Sequence, residues 1–594
     1  MNFFKTFLAA FLAIFAVFFA VILILGLGIA GMIGSASSSE KVSIKDKSVL
    51  QLKLGGELVE NASMEDFDLD KFIPGGSAAS KVGLFQTVHA IRAAKEDEKI
   101  QGIYLSLDPM MTGGWASLKA IRDELLEFKK AKKFIYAYSE VYTEKMYYLA
   151  STADKIYIPK SGMIEFNGLG ATPMFYTGLF EKMELEPKIF RVGKFKSAVE
   201  PYFLKQMSEE NKLQFREFID DLWGTFADDV AASRNISRAD VDNIATTFVF
   251  GQGDAALKVK LVDELATEQA VFDAIKVKTG LEKDDKMRFV SLKSYMTNVK
   301  DKNEDAKNKV AIIFADGEIR SGKGGDGVVG SETIVEEFRK AREDKNVKAI
   351  VLRVNSPGGS ALASDIMTEE IKLTKKAKPI VVSMSDLAAS GGYYISSHAD
   401  YIFAEKNTIT GSIGIFGVLF NTQKMFNNKL GITFDNVETH ANADFLNPNL
   451  PNDPFQDSLM QRYITLGYGD FLNVVKTGRK FADSLSVDNI AQGRVWSGKD
   501  AMGIKLIDGF GNLDSAVLKA AKLANLAEND YRLELMPKTK SPFEEILAKT
   551  SDAAFTRWAK QQPMYDEMKA LQTVKQHFPQ SGVYMLMPYQ LEIK

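Results

Sequence analysis

One serine in the chain lies in a segment whose composition suits a nucleophile. Ser390 belongs to the run Ala-Ala-Ser-Gly-Gly-Tyr at 388–393, where a strand pattern gives way to a helix pattern. A serine flanked by small residues at such a turn follows the logic of a nucleophile elbow, although the run does not match the motif GxSxG. A helix N-cap followed by glycines that permit close packing is the alternative interpretation. This run alone does not choose between the two.

A glycine-rich turn upstream of Ser390 has the composition of an oxyanion site. Residues 355–361 read NSPGGSA and directly follow a predicted strand. Two glycines let the backbone approach a ligand closely, and exposed N–H groups there stabilise a developing oxyanion. An ordinary strand-to-helix turn is the alternative interpretation.

A base for the serine has to be found among few candidates. The chain has no cysteine and four histidines, none in a metal-ligand spacing such as HExxH, so we expect no metal centre. His398, eight residues beyond Ser390, is better explained by capping or packing. The run RVGKFKSAVEP at 191–201 offers Lys194 and Lys196, which lie on the same side of an extended chain, so their spacing does not choose between them. A lysine base must be largely neutral, which needs burial or a nearby positive charge; a solvated surface lysine is the alternative.

The segment around Ser390 occurs twice in the chain. Residues 133–154 read KFIYAYSEVYTEKMYYLASTAD, and residues 378–400 read KPIVVSMSDLAASGGYYISSHAD. Equivalent tyrosines and aspartates of the two segments are 246 residues apart. That period is far longer than the roughly 20–50 residues of a solenoid repeat, so the sequence predicts a duplicated domain.

The two copies have lost different chemical groups. At the same spacing Ser390 corresponds to Glu144, and Lys196 corresponds to Asn442. The first copy has Asp-Pro-Met-Met at 108–111 in the region of the turn glycines. Each copy therefore holds half of a Ser/Lys pair, which predicts one composite site at the interface between the copies.

Strands and helices alternate in both copies, which predicts α/β domains. Short runs that are mostly apolar and β-branched predict buried strands at 100–107, 134–138, 347–354 and 380–384. Helices are predicted after the first strand of each copy, at 117–130 and 360–376.

Composition changes divide the chain into seven parts. They are a tail at 1–6, an apolar anchor at 7–33, a small and polar linker at 34–47, repeat 1 at 48–300, a charged linker at 301–309, repeat 2 at 310–535, and a C-terminal extension with partial helix at 536–594. The extension has no counterpart in the first copy. With 46% hydrophobic and 25% charged residues and a net charge of −3, the chain has no basic excess that would favour nucleic acid.

The N-terminal apolar segment is long enough to cross a membrane. The 27 residues from Phe7 to Ile33 carry no charge, whereas about 20 residues suffice for a spanning helix. A cleaved signal peptide has an apolar core of only ~7–15 residues, so the length favours a retained anchor. The positive charges do not favour an external body, because Lys5 alone precedes the segment and lysines at 41, 45 and 47 follow it.

Four motifs occur in a specific order along the chain. They are GKFKSAVEPY at 193–202, RVNSPGGSA at 353–361, AASGGYYIS at 388–396 and GRVWSGKDAMGIKLIDGFG at 493–511. In combination they resemble the signal peptide peptidase A family, also called protease IV, in its long double-domain bacterial form, and the resemblance covers nearly the whole chain. It implies a serine protease with a Ser/Lys dyad on two tandem Clp protease/crotonase-like domains, preceded by one N-terminal transmembrane helix.

The resemblance also implies a role for each site residue. Ser390 corresponds to the nucleophile, and Lys196 corresponds to the general base, because the family's lysine directly precedes Ser-Ala. Ser412, in the run Thr-Gly-Ser-Ile-Gly at 410–414, matches a second serine that hydrogen-bonds the lysine. The implied oxyanion donors are the backbone N–H groups of Gly358 or Gly359 and of Gly391.

The implied substrates are cleaved signal peptides that remain in the membrane. The resemblance implies a homotetramer in the bacterial inner membrane, with the catalytic domains outside the cytoplasm and without a cofactor. Two other functions stay open. One is a crotonase-like acyl-CoA enzyme, which needs neither a Ser/Lys pair nor a membrane span, and the other is a non-catalytic membrane-anchored scaffold.

Overall fold

The computed structural model describes four stretches of the chain, 43–62, 81–299, 303–538 and 582–587. The predicted tail and the predicted anchor at 7–33 lie outside these stretches, as does most of the linker at 34–47. Within the four stretches no helix is both long enough and apolar enough to cross a membrane. The anchor therefore remains a prediction from the sequence.

The first copy alternates strands and helices. Its strands are β1 (Ser48–Leu54), β2 (Glu57–Val59), β3 (Lys81–Gly83), β4 (Ile100–Leu107), β5 (Phe134–Tyr138), β6 (Val141–Tyr142), β7 (Lys155–Ile158), β8 (Met163–Phe166), β9 (Glu186–Arg191), β10 (Val249–Gln252), β11 (Glu264–Leu265) and β12 (Phe289–Ser291). Its α-helices are Leu84–Glu96, Trp115–Lys130, Glu144–Ala150, Thr177–Met183, Glu200–Phe203, Glu209–Arg234, Arg238–Thr247, Gly253–Lys258, Glu268–Thr279 and Leu292–Met296.

The second copy follows the same pattern. Its strands are β13 (Asn308–Asp316), β14 (Glu318–Arg320), β15 (Val328–Gly330), β16 (Val347–Ser356), β17 (Gly358–Ser360), β18 (Ile380–Ala389), β19 (Tyr401–Ala404), β20 (Ile409–Gly411), β21 (Phe416–Asn421), β22 (Val495–Ser497), β23 (Gly509–Phe510) and β24 (Tyr531–Met536), and β25 (Gly582–Leu586) follows in the C-terminal extension. Its α-helices are Ser331–Glu343, Ala361–Lys375, Gly391–Ser396, Pro454–Arg479, Ser484–Asp488, Gly498–Gly503 and Leu513–Leu523.

The central sheets of the two copies have the same strand order. The order is β12-β1-β4-β5-β7-β11 in the first copy and β24-β13-β16-β18-β19-β23 in the second. All of these neighbours are parallel. Strands of parallel sheets are covered on both faces and are therefore apolar throughout, and every residue of β5 is buried. The predicted α/β class and the predicted duplication are confirmed.

Two strands are longer than the apolar pattern predicts, and both extensions lead to candidate site residues. β4 and β5 have the predicted bounds, whereas β16 continues to Ser356 and β18 continues to Ala389. Polar and small residues at these strand ends interrupt the apolar run, so hydrophobicity alone does not mark them. The longer strands deliver the chain to the glycine turn and to Ser390.

One strand of the first copy belongs to a sheet of the second copy. That sheet has the order β15-β14-β17-β25-β21-β9, and β9 pairs antiparallel with β21, with Arg191 opposite Phe416. Phe190 of β9 is buried in the core of the second copy. The pairing therefore carries the residues that follow β9, including Lys196, to the second copy.

Buried polar contacts also join the copies. Arg353 Nε donates to Glu60 Oε2 at 2.8 Å, and both side chains are buried. The Ser117 N–H donates to Asp386 Oδ1 at 2.8 Å. Removing one partner of a buried ion pair costs about 3–5 kcal/mol because the other charge is left uncompensated. These contacts therefore hold the two copies in one relative position.

The C-terminal extension contributes one described strand. β25 pairs antiparallel with β17 and with β21. The partial helix predicted for the extension falls outside the described residues.

Candidate active site

Ser390 lies at a sharp turn between β18 and the helix Gly391–Ser396. Its backbone has φ 54° and ψ −113°, a conformation that costs a non-glycine residue of order 1–3 kcal/mol. Two backbone hydrogen bonds hold the turn, from the Ser390 N–H to the Gly411 carbonyl at 2.8 Å and from the Tyr394 N–H to the Ser390 carbonyl at 2.8 Å. The hydroxyl caps no helix N–H group. Ser390 therefore occupies the N-cap position of this helix, but its hydroxyl does not cap the helix and is directed elsewhere.

The glycines after Ser390 are needed for close packing. A Cβ on Gly391 would lie 2.6 Å from Ser364 Oγ and 3.2 Å from the Gly358 Cα. A Cβ on Gly392 would lie 2.8 Å from the Ser356 carbonyl oxygen. The turn that carries Ser390 is thereby pressed against the glycine turn at the end of β16.

Lys196 reaches Ser390 from the other copy. Its Nζ lies 2.8 Å from Ser390 Oγ, 3.0 Å from Ser412 Oγ and 3.0 Å from the Ser412 carbonyl oxygen. Lys196 is 0% exposed, whereas Lys194 is exposed and its Nζ lies 5.2 Å from the centre of the Phe195 ring. Burial therefore distinguishes Lys196 from Lys194, which their spacing in the sequence does not.

The electrostatic setting of Lys196 favours a neutral amine. Burial lowers the pKa of Lys196 well below its ordinary value of 10.5. Its three hydrogen-bond partners are uncharged oxygens, so none of them offsets the cost of desolvation. The two hydrogens of a neutral amine can go to the Ser412 hydroxyl and carbonyl. The lone pair is then free to accept the proton of the Ser390 hydroxyl.

Ser412 is brought to the site by a strand that pairs with β18. β20 lies parallel to the end of β18, with Gly411 opposite Ala389. Ser412 follows directly with φ 48°, and its N–H donates to the Arg494 carbonyl at 2.7 Å. Ser390 and Ser412 are therefore the next residues on two paired strands, and both present a hydroxyl to Lys196.

Gly493 packs directly against the backbone of Lys196. It has φ 78°, and a Cβ there would lie 2.5 Å from the Lys196 Cβ and 2.6 Å from its backbone nitrogen. The neighbouring Gln492 carbonyl accepts from the Phe195 N–H at 2.9 Å. In the sequence Gly493 is recognisable only as the first residue of a motif, because nothing in local spacing relates it to a lysine almost 300 positions earlier, at 196.

Gln214 of the helix Glu209–Arg234 and Arg494 of the second copy hold the Lys196 loop against the second copy. Gln214 Nε2 donates to Ser197 Oγ at 3.0 Å, and Gln214 Oε1 accepts from the Val495 N–H at 3.2 Å. The Arg494 guanidinium lies 5.0 Å from the centre of the Phe195 ring. These contacts were missed from the sequence, where the residues show no pattern beyond ordinary helix and strand.

The glycine turn lies directly beside the start of the helix that follows Ser390. A Cβ on Gly358, which has φ 96°, would lie 2.6 Å from the Gly391 nitrogen. A Cβ on Gly359 would lie 2.0 Å from the Ile319 carbonyl oxygen. The Gly358 N–H donates to Ser356 Oγ at 3.2 Å, which leaves Gly359 as the better second donor beside Gly391.

The corresponding position of the first copy holds a carboxylic acid. Glu144 begins the helix Glu144–Ala150 and is buried, and its Oε1 accepts from the Asn167 N–H at 2.7 Å. Burial raises the pKa of Glu144 to about 7. The carboxyl occupies the place that Ser390 has in the second copy, and Lys196 of this copy is directed to Ser390 instead.

Replacing Glu144 with glutamine is expected to stabilise the chain at pH 8. Between pH 4.5, the ordinary pKa of a glutamate, and about pH 7, Glu144 keeps its proton in the folded chain but has released it in the unfolded chain. Stability is therefore lost as the pH rises through that window. Glutamine keeps the acceptor for Asn167 without this loss, so the gain in unfolding free energy should be about 2 kcal/mol larger at pH 8 than at pH 5.

Denaturant unfolding at the two pH values measures this difference. The matched control is Glu98→Gln, which removes one exposed carboxylate from the same copy. An equal effect of Glu144→Gln at pH 5 and pH 8 would contradict the protonated state of Glu144.

His398 does not reach the site. It is half-buried, and burial together with Lys372 and Lys375 lowers its pKa to about 4. Lys375 Nζ donates to the His398 carbonyl at 2.8 Å. His398 therefore has a packing position, in agreement with the prediction from the sequence.

Known proteins are similar to this chain over most of its length. The family model described as peptidase family S49 matches residues 127–282 and 372–527, one match in each copy. Protease 4 of Salmonella typhi is 37% identical over 520 residues, which are 85% of this chain and 83% of that protein. Protease 4 of Haemophilus influenzae is 35% identical over 518 residues, 84% of this chain and 83% of that protein. Serine protease SPPA, chloroplastic, of Arabidopsis thaliana is 35% identical over 444 residues, 73% of this chain and 65% of that protein.

Proposed function

Because this chain belongs to peptidase family S49, we propose that it is a membrane-anchored serine endopeptidase with Ser390 as nucleophile and Lys196 as general base. The observation that carries the proposal is the 2.8 Å contact between a fully buried lysine amine of one copy and a strained serine of the other. A nucleophile and a base within hydrogen-bond distance, with the base oriented by a third group, form the arrangement that covalent catalysis requires. The two domains would have the Clp protease/crotonase-like fold that the resemblance implies.

The proposed reaction is ordinary acyl transfer. Neutral Lys196 takes the proton of the Ser390 hydroxyl while its oxygen attacks a peptide carbonyl carbon. Lys196 then gives that proton to the leaving amine, and the acyl group stays on Ser390 as an ester. A water molecule, deprotonated by Lys196, hydrolyses the ester and restores Ser390. Ser412 keeps the amine directed at Ser390 throughout.

Backbone N–H groups would stabilise the tetrahedral intermediate. The N–H of Gly391 follows the nucleophile directly, and the N–H of Gly359 lies in the adjacent turn. Removing one such donor typically costs 10²–10³ in kcat. Because these donors belong to the backbone, only glycine-to-larger substitutions that move the turn can test them.

The proposed substrates are signal peptides that remain in the membrane after cleavage. The uncharged segment at 7–33 would hold the enzyme in the bacterial inner membrane beside them, with the catalytic domains outside the cytoplasm. An apolar substrate suits a site in which Ser390 and Lys196 are both buried. No cofactor takes part in the proposed reaction.

The two rival functions do not account for the Lys196 contact. An acyl-CoA enzyme of the crotonase type uses backbone oxyanion donors without a Ser/Lys pair, and a scaffold needs no buried neutral amine. The direct test is hydrolysis of a peptide substrate by full-length chains in which Ser390 or Lys196 is replaced. Full activity in either variant would contradict the proposed dyad.

We also propose a homotetramer, and the duplicated fold supports a head-to-tail contact. Within one chain β9 of the first copy pairs with β21 of the second. The spacing of 246 residues relates β9 to 432–437 in the second copy and β21 to 170–175 in the first. Neither of these segments is in a strand, and in the second Ile432 is 46% and Val437 100% exposed. Residues 432–437 of one chain can therefore pair with 170–175 of the next, and a repeated contact of this kind closes a ring of four when neighbouring chains are related by a quarter turn.

Two charges on 432–437 are expected to dissociate the assembly. Ile432→Asp with Val437→Asp places carboxylates where an apolar contact is proposed, and desolvating them opposes association. Light scattering of the detergent-solubilised full chain should give a mass near the 65.8 kDa of one chain, instead of four times that value. The control is Val277→Asp, at an 81% exposed valine of the first copy. A tetramer that persists in the double variant would contradict this interface.

A further inference from the structure

The C-terminal extension places a strand beside the proposed catalytic residues. β25 lies between β17, which contains the turn glycines, and β21, which follows Ser412 by a few residues. It is antiparallel to both neighbours, with Met585 opposite Gly359 and Tyr584 opposite Phe416. The strand therefore fills a gap between two edges that would otherwise be open beside Ser390.

The backbone of β25 forms hydrogen bonds at the place where the carbonyl group of a substrate peptide would be held. The Met587 N–H donates to the Pro357 carbonyl at 2.7 Å. In an antiparallel ladder the hydrogen-bonded pairs alternate, so the next such pair joins Met585 and Gly359. The position of a Cβ on Gly358 lies 2.0 Å from the Met585 carbonyl oxygen and 2.6 Å from the Gly391 nitrogen. The Met585 carbonyl is thus beside the proposed oxyanion donors.

Two side chains of the segment 582–587 are buried in apolar clusters on one face. Met585 is 3% exposed and Met587 is 2% exposed. Met587 packs with Ala389, the residue before Ser390, and with Val495. Side chains two residues apart on a strand point to the same face, so one face of the segment enters the site.

The other face of the segment packs on the first copy. Tyr584 and Leu586 pack against an apolar cluster that includes Tyr202 and Val199 of the first copy. The Tyr584 ring also lies beside that of Phe416 of the second copy, with ring centres 5.8 Å apart and the ring planes tilted by 30°. The segment is therefore fixed by a ladder on each edge and by apolar contacts on each face, which is the way a peptide binds by strand addition.

We propose that residues 582–587 are an internal occupant of the peptide groove, which must leave before a substrate can bind. The proposal rests on the proposed function, because the groove is defined by Ser390 and the oxyanion donors. A sheet edge pairs with one strand at a time, so the segment and a substrate exclude each other. The apparent affinity for substrate is then reduced by the fraction of chains whose groove is empty.

The test displaces the segment in the full-length chain by charging its buried side chains. Met585→Asp with Met587→Asp should raise kcat/KM for an apolar peptide at least tenfold, because an empty groove becomes the common state. The control chain has Met110→Asp with Met502→Asp, at methionines that are 71% and 38% exposed. An unchanged kcat/KM in a folded M585D/M587D chain would overturn the occupant, whereas absence of hydrolysis in every chain would overturn the proposed function instead.

A second measurement supplies the segment from outside. The peptide Gly-Val-Tyr-Met-Leu-Met should inhibit the M585D/M587D chain competitively, and it should bind that chain when Ser390 is also replaced by alanine, as measured by calorimetry. The same peptide with aspartate at both methionines should do neither. Absence of binding by the first peptide would overturn the proposal. The proposal would also be overturned if mass spectrometry showed that the purified chain without substitutions ends at Met585. The segment would then be a cleaved substrate and not a resident occupant.

Discussion

Replacing Ser390 with alanine, or Lys196 with methionine, is expected to lower peptide hydrolysis by about 10³-fold or more while the chain stays folded. Alanine removes the attacking oxygen, and methionine nearly keeps the volume of lysine but cannot accept a proton. The 2.8 Å contact between Lys196 Nζ and Ser390 Oγ is the only route by which the serine can lose its proton to a side-chain base among the described contacts. Initial rates of peptide hydrolysis measure the effect.

The double variant and a neighbouring lysine provide the controls. Because Ser390 and Lys196 act as a unit, the double variant should hydrolyse peptide at most a few-fold more slowly than either single variant. Lys194→Ala should keep substantial activity, since Lys194 is exposed and directed away over the Phe195 ring. Loss of activity in Lys194→Ala equal to that in the Lys196 variant would contradict the assignment of the base. Circular dichroism and thermal unfolding establish that each variant is folded.

Replacing Gly493 with alanine is expected to lower kcat/KM by about 10²-fold, although residue 493 contributes no side chain to the site. The new Cβ would lie 2.5 Å from the Lys196 Cβ and 2.6 Å from the Lys196 nitrogen. Both contacts are to backbone or to the atom beside it, so the Lys196 loop must move. A displacement of about 1 Å of a catalytic group is enough for a loss of this size. The positive φ of 78° adds a conformational cost for alanine.

Gly503→Ala is the matched control for Gly493→Ala. Gly503 ends the nearby helix Gly498–Gly503, and beyond its chain neighbours and its own helix backbone no heavy atom lies within 4 Å of its Cβ position. Its kcat/KM should equal that of the unmodified chain. In a chain that already carries Lys196→Met, Gly493→Ala should cause little further loss of kcat/KM, because both changes disable the same base. Additive losses in that pair would contradict the positioning role.

The sequence predicts the secondary structure of the core closely, and the reason is local. The strands at 100–107 and 134–138 are mostly apolar, and such runs form buried strands whatever their partners. The helix predicted at 117–130 begins at Trp115, two residues earlier. Where the prediction is too short, at the ends of β16 and β18, polar and small residues carry the chain into the site.

The alignment of the two copies predicts which residues meet, but it does not predict the path by which they meet. Glu144 and Asn442 at the equivalent positions indicate that Ser390 and Lys196 must come from different copies. The structure adds that β9 of the first copy pairs with β21 of the second and so carries Lys196 across. No local pattern identifies that pairing, because an antiparallel pair joins residues more than 200 positions apart in the sequence.

The sequence by itself determined the duplication, the α/β class, the family, and the two residue types of the proposed dyad. Each of these follows from residue identity and spacing along the chain. Only the tertiary structure showed that Lys196 is buried against Ser390 while Lys194 is exposed, placed Gly493 against the lysine, and paired residues 582–587 with the glycine turn beside Ser390. The physical reason is that burial and close contact depend on groups brought together from distant parts of the chain, and burial is what makes a lysine neutral.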